Sequence, residues 1–358
     1  MKLCFFLPSL ANRGPNVFTL NLVRSLIENG YVSHEDVTVL YFKKDPKPLS
    51  FPCKTSKIKF LDMFNLKEFD ILHSTMFLPD IFLSFLSFFR NGLVCGVHNE
   101  IRLDTKFLYG KYKGFIISRV WEFALGRFNR LVVSSKKMQC FYEKLGVRTE
   151  SVIIPYGVPD SLSDSTYAAI PPEIETLEFF KKNYTVIGNC GLFIERKNQS
   201  ILIDLLALYP DYALILIGDG PLDSDLKKQA EKLGVSNRVL FTGFVDNSNQ
   251  YYKFMDVYAS PSFSEGFGLA MLNAISLGIP ICVSNLDIYN GFFDESNTGL
   301  FEPDSIESLA YSLKIVTKNI QYFSNCSEKL YSQFFSLKAM GDLHYNFYKE
   351  LLFEGVDK

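Results

Sequence analysis

A chain of 358 residues, 47% of them hydrophobic and with a mean hydropathy of +0.08, is too apolar for disorder and too long for one ordinary core. Two domains of roughly 150–180 residues each fit better. The seven cysteines are odd in number and form no Cys-x-x-Cys pair, which excludes a disulfide framework and a zinc site and leaves reduced core thiols. The net charge of −2 conceals an asymmetry: residues 1–160 hold 22 Lys and Arg against 14 Asp and Glu, whereas residues 161–358 hold 15 against 25.

Taken in chain order, the apolar run after Lys2 stops at Pro8 after five residues, short of the 7–15 that a signal-peptide core needs, and predicts a first strand. Gly14-Pro15 opens the first helix, where a missing N–H costs nothing, and Gly30 stops it. Apolar runs at residues 37–42, 58–61, 69–73, 93–98, 131–134 and 152–154 predict further strands buried on both faces, as in a parallel sheet covered by helices. The stretch 77–89 is interrupted by Pro79 and Asp80 and falls short of the roughly 20 residues of a membrane span, so no segment is expected to cross a bilayer. Residues 102–148 carry 11 basic side chains against 3 acidic ones, interleaved with Phe107, Tyr109, Tyr112, Phe115, Trp121, Phe123 and Phe128. Cations among rings suit an anionic membrane surface, at about 1 kcal/mol per cation near the headgroups, or else form a solvated face. Nucleic acid is not expected, because no recognised binding motif accompanies the basic residues.

Between Gly157 and Asn183 the pattern lapses, with Ser161-Leu-Ser-Asp-Ser and Pro171-Pro172 marking a linker. A second set of runs follows at residues 186–192, 214–218, 239–241, 257–260, 279–283 and 300–301, with helices at 223–233 and 269–277 closed by Gly234 and Gly278. The predicted organisation is a domain over 1–160, a linker over 161–183, a domain over 184–335 and a C-terminal helix over 336–358 packing back on the first domain. Each domain is expected to be a doubly wound α/β sheet, with ligand at the carboxyl ends of the strands in a cleft between the two.

The most informative stretch is Ser260-Pro-Ser-Phe-Ser-Glu265-Gly266-Phe267-Gly268-Leu269, followed by an amphipathic run through Asn273. Two glycines before a helix let backbone approach a ligand closely, and the free N–H groups there attract a diphosphate. Glu265 would repel phosphate but would grip hydroxyls of a neutral sugar attached to it. Asn273 lies about 12 Å further along the helix, of the order of a nucleotide sugar's length. Gly-x-Gly by itself favours the plainer reading, a glycine-rich turn between strand and helix.

Ser-Glu-Gly-Phe-Gly-Leu resembles the Glu-x7-Glu motif of the retaining family-4 glycosyltransferases. Gly218-Asp-Gly-Pro221, Arg238-Val-Leu-Phe-Thr-Gly243-Phe-Val, Ala259-Ser-Pro-Ser and Thr298-Gly-Leu-Phe-Glu-Pro303 fall in that family's order and spacing, and Val97-His98-Asn99, Val132-Val-Ser-Ser and Ile154-Pro-Tyr-Gly157-Val match it more loosely. The likeness implies the GT-B architecture, two Rossmann-like domains facing a central cleft, with the acceptor held by the N-terminal domain and a nucleotide sugar by the C-terminal one. It implies donor contacts from Glu265 and the amides of Gly266, Phe267, Gly268 and Leu269, from Lys197 on phosphate with Arg196 beside it, and from backbone at Phe244 and Val245 towards the base. His98 matches a histidine near the reacting sugar. Gly14, on the first strand-to-helix loop, would admit the donor, with Arg13 and His73 on the acceptor side. Two positions depart from the family: Asn273 stands where a second glutamate usually grips the ribose, and Leu192 follows Gly191 where an arginine is usual.

The implied reaction is retaining, metal-independent and without cofactor, moving a hexose or N-acetylhexosamine from a nucleotide-diphosphate sugar, UDP-sugar favoured, to a polyprenyl-diphosphate-linked or saccharide acceptor for O-antigen or capsule. The expected place is cytoplasmic, peripheral on the inner face of the membrane. Asp223-Ser-Asp225 looks like a manganese-binding Asp-x-Asp but sits at a helix start, where acids favour the dipole. The competing readings are a non-catalytic donor-binding subunit and a nucleotide-sugar epimerase on the same fold.

Overall fold

The computed structural model describes residues 1–59, 65–88, 92–160 and 170–354. The chain divides into two compact units, Met1–Gly157 with Leu337–Lys358, and Val158–Ser336.

The first unit is built on a seven-stranded, all-parallel sheet in the order β3-β2-β1-β4-β5-β6-β7. Its strands are β1 (Leu3–Ser9), β2 (Val37–Lys43), β3 (Lys54–Lys57), β4 (Ile71–Thr75), β5 (Leu93–Val97), β6 (Arg130–Val133) and β7 (Ser151–Ile153). Leu3 is paired with Val37 on one side and Ile71 on the other, so β1 is central. The apolar runs mark the buried strands because helices cover both faces. They miss β3. The run at 58–61 predicted a strand four positions too late: the strand is Lys54–Lys57, Ile58 and Lys59 lie outside it, and residues 60–64 are outside the described ones. An edge strand with mostly exposed side chains has no apolar signature.

Helix α1 (Gly14–Glu28) carries Pro15 in its first turn, and Gly30 beyond its end has a φ of 73°. After β4 comes α2 (Phe77–Ser84), and after β5 come α3 (Ile101–Tyr109) and α4 (Lys111–Leu125), with α5 (Lys136–Lys144) between β6 and β7. The C-terminal helix, Leu337–Glu354, belongs to this unit and crosses α1. A Cβ on Gly341 would lie 2.1 Å from Ser25 Oγ, so only glycine permits that crossing.

The second unit has a six-stranded parallel sheet in the order β10-β9-β8-β11-β12-β13. Its strands are β8 (Thr185–Cys190), β9 (Tyr212–Ile217), β10 (Val239–Gly243), β11 (Val257–Ser260), β12 (Ile281–Ser284) and β13 (Gly299–Phe301). Around them lie α6 (Ile174–Asn183), α7 (Ser200–Leu208), α8 (Asp223–Lys232), α9 (Asn249–Tyr252), α10 (Leu269–Ser276), α11 (Ile306–Lys318) and α12 (Ile320–Leu330). The expected linker over 161–183 is part helix: α6 occupies its second half, with Leu177 and Phe180 buried, while residues 161–169 lie outside the described ones. Pro171-Pro172 marks the start of that helix and not a break between domains, since proline is at home just before a first turn.

In both sheets chain order reverses once, between β1 and β4 in the first unit and between β8 and β11 in the second. Loops leaving adjacent strands at such a point diverge to opposite faces and leave a crevice for ligand. Among the described residues no helix is long and apolar enough to cross a membrane.

Candidate active site at the switch point of the second unit

The loops that leave β8 and β11 carry the predicted donor residues. Beyond β8 a single 3-10 turn, Glu195–Lys197, presents Arg196 and Lys197, and Asn198 closes it in the left-handed region at a φ of 52°. The Asn198 side-chain amide donates to Pro303 O at 2.7 Å, holding the turn against the segment after β13. The β11 loop is tied to this turn twice: Phe263 N donates to Arg196 O at 2.9 Å and Arg196 Nη1 donates to Ser264 O at 2.6 Å.

Those ties bring Glu265 to Lys197. Lys197 Nζ donates to Glu265 Oε1 at 2.5 Å, Ser262 Oγ donates to the same oxygen at 2.7 Å, and Arg196 Nη1 stands 3.8 Å from Oε2. The Glu265 side chain is only 5% exposed, against 20% for Lys197 and 37% for Arg196. Burial alone would raise the Glu265 carboxyl. The Lys197 charge and hydrogen bond, the Ser262 hydroxyl and the Arg196 charge outweigh it and hold the group below its usual range. Glu265 is therefore a fixed anion beside two cations.

Four residues after Glu265 the chain enters α10. Gly268 sits at its N-cap with a φ of 93°, a conformation a β-carbon would strain, and no side chain caps the first turn. Gly268 thus offers no side chain to the leading amides of α10. The Phe267 ring is 1% exposed and packs edge-on against Tyr289, Phe292 and Phe335. Asn273 lies half-buried further along α10. Leu192 is 51% exposed, and Phe244, just after β10, is 64% exposed with Val245 half-buried beside it.

Close backbone approach explains the Gly218 motif. A Cβ there would lie 2.1 Å from Gly191 O, so the ends of β8 and β9 abut where the first loop begins. Sequence reasoning missed three residues of this site. Ser262 is the second donor to Glu265, Tyr289 places its hydroxyl 3.7 Å from where a Cβ on Gly268 would be, and Tyr258 bridges both backbone groups of Cys190. A serine three residues before a glutamate carries no signal until the loop is folded.

Asp223 and Asp225 occupy the first turn of α8, paired with Lys227 at 2.8 Å and Lys228 at 3.9 Å. Among the described residues no group of three or more His, Cys, Asp or Glu side chains is arranged to hold a metal.

In the first unit, Arg13 and Gly14 are exposed at the start of α1, and open space surrounds the place of a Gly14 side chain. His73 and His98 lie together beside Gly96, with Nε2 atoms 3.0 and 3.5 Å from a Cβ built there. Both are buried. His98 Nδ1 is 2.5 Å from the Tyr156 hydroxyl, and burial lowers its pKa to about 3. Its Nε2 is buried without a hydrogen-bond partner and belongs to the lining of a small cavity with Met76, Asn99, Asp104 and Trp121. His73, expected on the acceptor side, is 4% exposed and bonded through Nδ1 to the Tyr348 hydroxyl of the C-terminal helix at 2.6 Å. That bond makes it a tie between β4 and the helix, and not an open surface group.

Two parallel Rossmann-like sheets, the second carrying a cationic pair, a glutamate and a glycine-opened helix at its switch point, make the arrangement of the GT-B fold. Residues 173–333 match the family described as Glycosyl transferases group 1. It is 26% identical over 372 residues to an Escherichia coli O-antigen biosynthesis glycosyltransferase, WclY, covering 99% of each chain. It is 34% identical over 138 residues to an E. coli UDP-Gal:alpha-D-GlcNAc-diphosphoundecaprenol alpha-1,3-galactosyltransferase, covering 37% of this chain and 36% of that one. Among solved structures it resembles Anabaena HepE in complex with UDP, with a TM-score of 0.78, 19% identity, and coverage of 98% of this chain and 100% of that one.

Proposed function

We propose that the protein is a retaining, metal-independent hexosyltransferase that moves a hexose or N-acetylhexosamine from a UDP-sugar to a polyprenyl-diphosphate-linked or saccharide acceptor in O-antigen or capsule synthesis. The observation that carries this is the buried Glu265–Lys197 pair beside the glycine-opened N-terminus of α10. The amides of Gly266 to Leu269 and the Lys197 ammonium face the diphosphate. Glu265 Oε1 is already held by Lys197 and Ser262, which leaves Oε2 to accept from sugar hydroxyls. In the transfer, the bond from the anomeric carbon to the phosphate oxygen breaks as the acceptor oxygen bonds to the same face. The acceptor proton passes to the departing phosphate, and Lys197 with the helix amides stabilises the charge that develops there. The relatives' names, one an O-antigen glycosyltransferase and one a transferase acting on a diphosphoundecaprenol-linked sugar with UDP-Gal, support the donor and acceptor classes. The basic, aromatic first half supports a place on the anionic inner face of the membrane.

Glu265→Ala and Lys197→Ala each abolish transfer, and losing the Lys197 donor by itself costs about 100- to 1,000-fold in kcat. Full activity in either variant with the correct donor sinks the assignment. A thermal-shift series against UDP-, GDP- and ADP-sugars identifies the base, since ligand at 100 times its Kd adds about 2.7 kcal/mol. Slow donor hydrolysis without acceptor separates an enzyme from a donor-binding subunit.

A further inference from the structure

The α3–α4 hairpin has a surface that donor binding does not use. Its two helices meet at Gly110, which has a φ of 77°, and cross where Gly114 lies against Thr105 so closely that a Cβ would be 2.4 Å from Thr105 O. The inner face of α4 is fixed to the unit. Gly114, Ser118 and Glu122 are buried, Glu122 pairs with Arg102 at 2.7 Å and Arg119 at 3.1 Å, and Trp121 Nε1 donates to the buried Asp80 at 2.7 Å. The outer face is apolar. Phe107, Leu108, Tyr112, Phe115, Ile116 and Phe123 are between 59% and 83% exposed, far more apolar surface than isolated exposed residues explain.

Along this outer face runs a row at helical i, i+4 spacing: Phe115, Arg119, Phe123, Arg127. Each arginine lies over the ring before it, Arg119 at 5.3 Å from the Phe115 centroid and Arg127 at 4.8 Å from that of Phe123. Arg119 and Arg127 also line a groove whose opposite wall is Leu145–Arg148, so that Arg148 brings a third guanidinium to it. Over residues 101–127 six basic side chains face two acidic ones. Alternating rings and guanidiniums suit the boundary between acyl chains and headgroups, where the ring enters the apolar layer and the guanidinium forks onto phosphate.

We infer that the α3–α4 hairpin is the membrane-docking element of this protein, inserting its apolar outer face into the cytoplasmic leaflet and seating the phosphate of an anionic lipid in the groove of Arg119, Arg127 and Arg148. This deepens the membrane reading proposed above by naming the surface and the lipid class. A second copy of the chain is the competing occupant, but a patch bearing a net positive charge repels its own image, whereas an anionic leaflet complements it.

The test uses the full chain and vesicles of phosphatidylcholine alone or with phosphatidylglycerol, read by flotation. Wild type floats with the anionic vesicles and is released as salt rises. Tyr112→Glu, at the most exposed aromatic ring of the hairpin (83%), and Phe115→Ser/Phe123→Ser both abolish flotation. Arg119→Gln/Arg127→Gln/Arg148→Gln removes the preference for anionic vesicles, with about a fivefold weaker partition for each charge lost. Thermal shift by donor and donor hydrolysis stay at wild-type level in all three variants, which shows that the fold and the donor site are intact. Undiminished flotation of the variants overturns the hairpin assignment and leaves the general membrane reading standing. Failure of wild type to float overturns both, and a wild-type dimer that Tyr112→Glu converts to monomer assigns the face to a second copy. Loss of donor hydrolysis in Glu265→Ala bears on the donor site alone and leaves this inference untouched.

Discussion

At the scale of single residues, the decisive contact is a carboxylate buried against an ammonium. Glu265 and Lys197 are each expensive to bury alone, and removing one partner from such a pair typically costs about 3–5 kcal/mol because it strands the other charge. Glu265→Gln is therefore the gentler probe of chemistry, and Lys197→Ala the harsher one. Because the folded-state carboxyl lies below its usual value, the pair's contribution to stability is fully present above pH 4.5 and is lost as pH falls below that through the depressed folded pKa. A second buried carboxylate behaves in the opposite sense. Asp80 is 1% exposed, and burial raises it to about 7 against the hydrogen bonds from Ser74 and Trp121 that lower it. Its contribution is present below pH 3.8 and is lost as pH rises through about 7. Trp121 is the single tryptophan of the chain and donates to that carboxyl. We predict that tryptophan emission titrates with a midpoint near 7 and that Asp80→Asn abolishes the titration; a flat profile between pH 5.5 and 8.5 refutes the coupling.

At the scale of elements, the C-terminal helix, here α13 (Leu337–Glu354), is held by histidine. His344 lies on α13, with its Nδ1 donating to Met340 O at 3.0 Å, and its ring stacks at 6.2 Å on that of His73, which in turn bonds to Tyr348. Phe18 of α1 packs its ring against His98, Tyr156 and His344. Burial lowers His98 to about 3 and His344 to about 4, and burial with the charges of His344 and His98 lowers His73 well below its usual value. The unfolded chain protonates these rings near 6.5, so the cluster's stabilising neutrality is complete above that value and is lost progressively as pH falls from 6.5 towards 4 and 3. Amide protection factors across α13, which correct for the slower intrinsic exchange in acid, are expected to fall on acidification through that window. His344→Gln, which cannot take up the proton, is expected to flatten the slope; an unchanged slope shows that other groups govern it.

At the scale of the whole molecule, the first unit is discontinuous in sequence. Residues after Ser336 return to it, and α13 buries Met340, His344, Phe347, Tyr348 and Leu351 there. Burying a large apolar side chain stabilises by about 1.5–3 kcal/mol, so four such residues are comparable with the net stability of a domain. A chain ending at Ser336 is thus predicted to lose the cooperative melting of the first unit while the second, which keeps its whole sheet, still binds nucleotide. Calorimetry of the truncated chain checks this: two intact transitions refute it, and one lost transition with retained UDP response supports it.

The periodicity of apolar residues determined most of the strands, since a parallel strand covered on both faces has to be apolar throughout, and the glycine positions marked where backbones abut or helices begin. The family likeness carried by Glu265 and Lys197 was likewise legible. What only the tertiary structure decided was partnership. That Lys197 holds Glu265 across 68 positions, that Ser262 supplies a second hydrogen bond, that His73 faces Tyr348 on the last helix, and that polar Lys54–Lys57 is a strand all depend on contacts between segments distant in sequence. Local pattern records whether a side chain is buried, because burial repeats with the period of its own element. It does not record which partner meets the side chain there, because that partner arrives on another element.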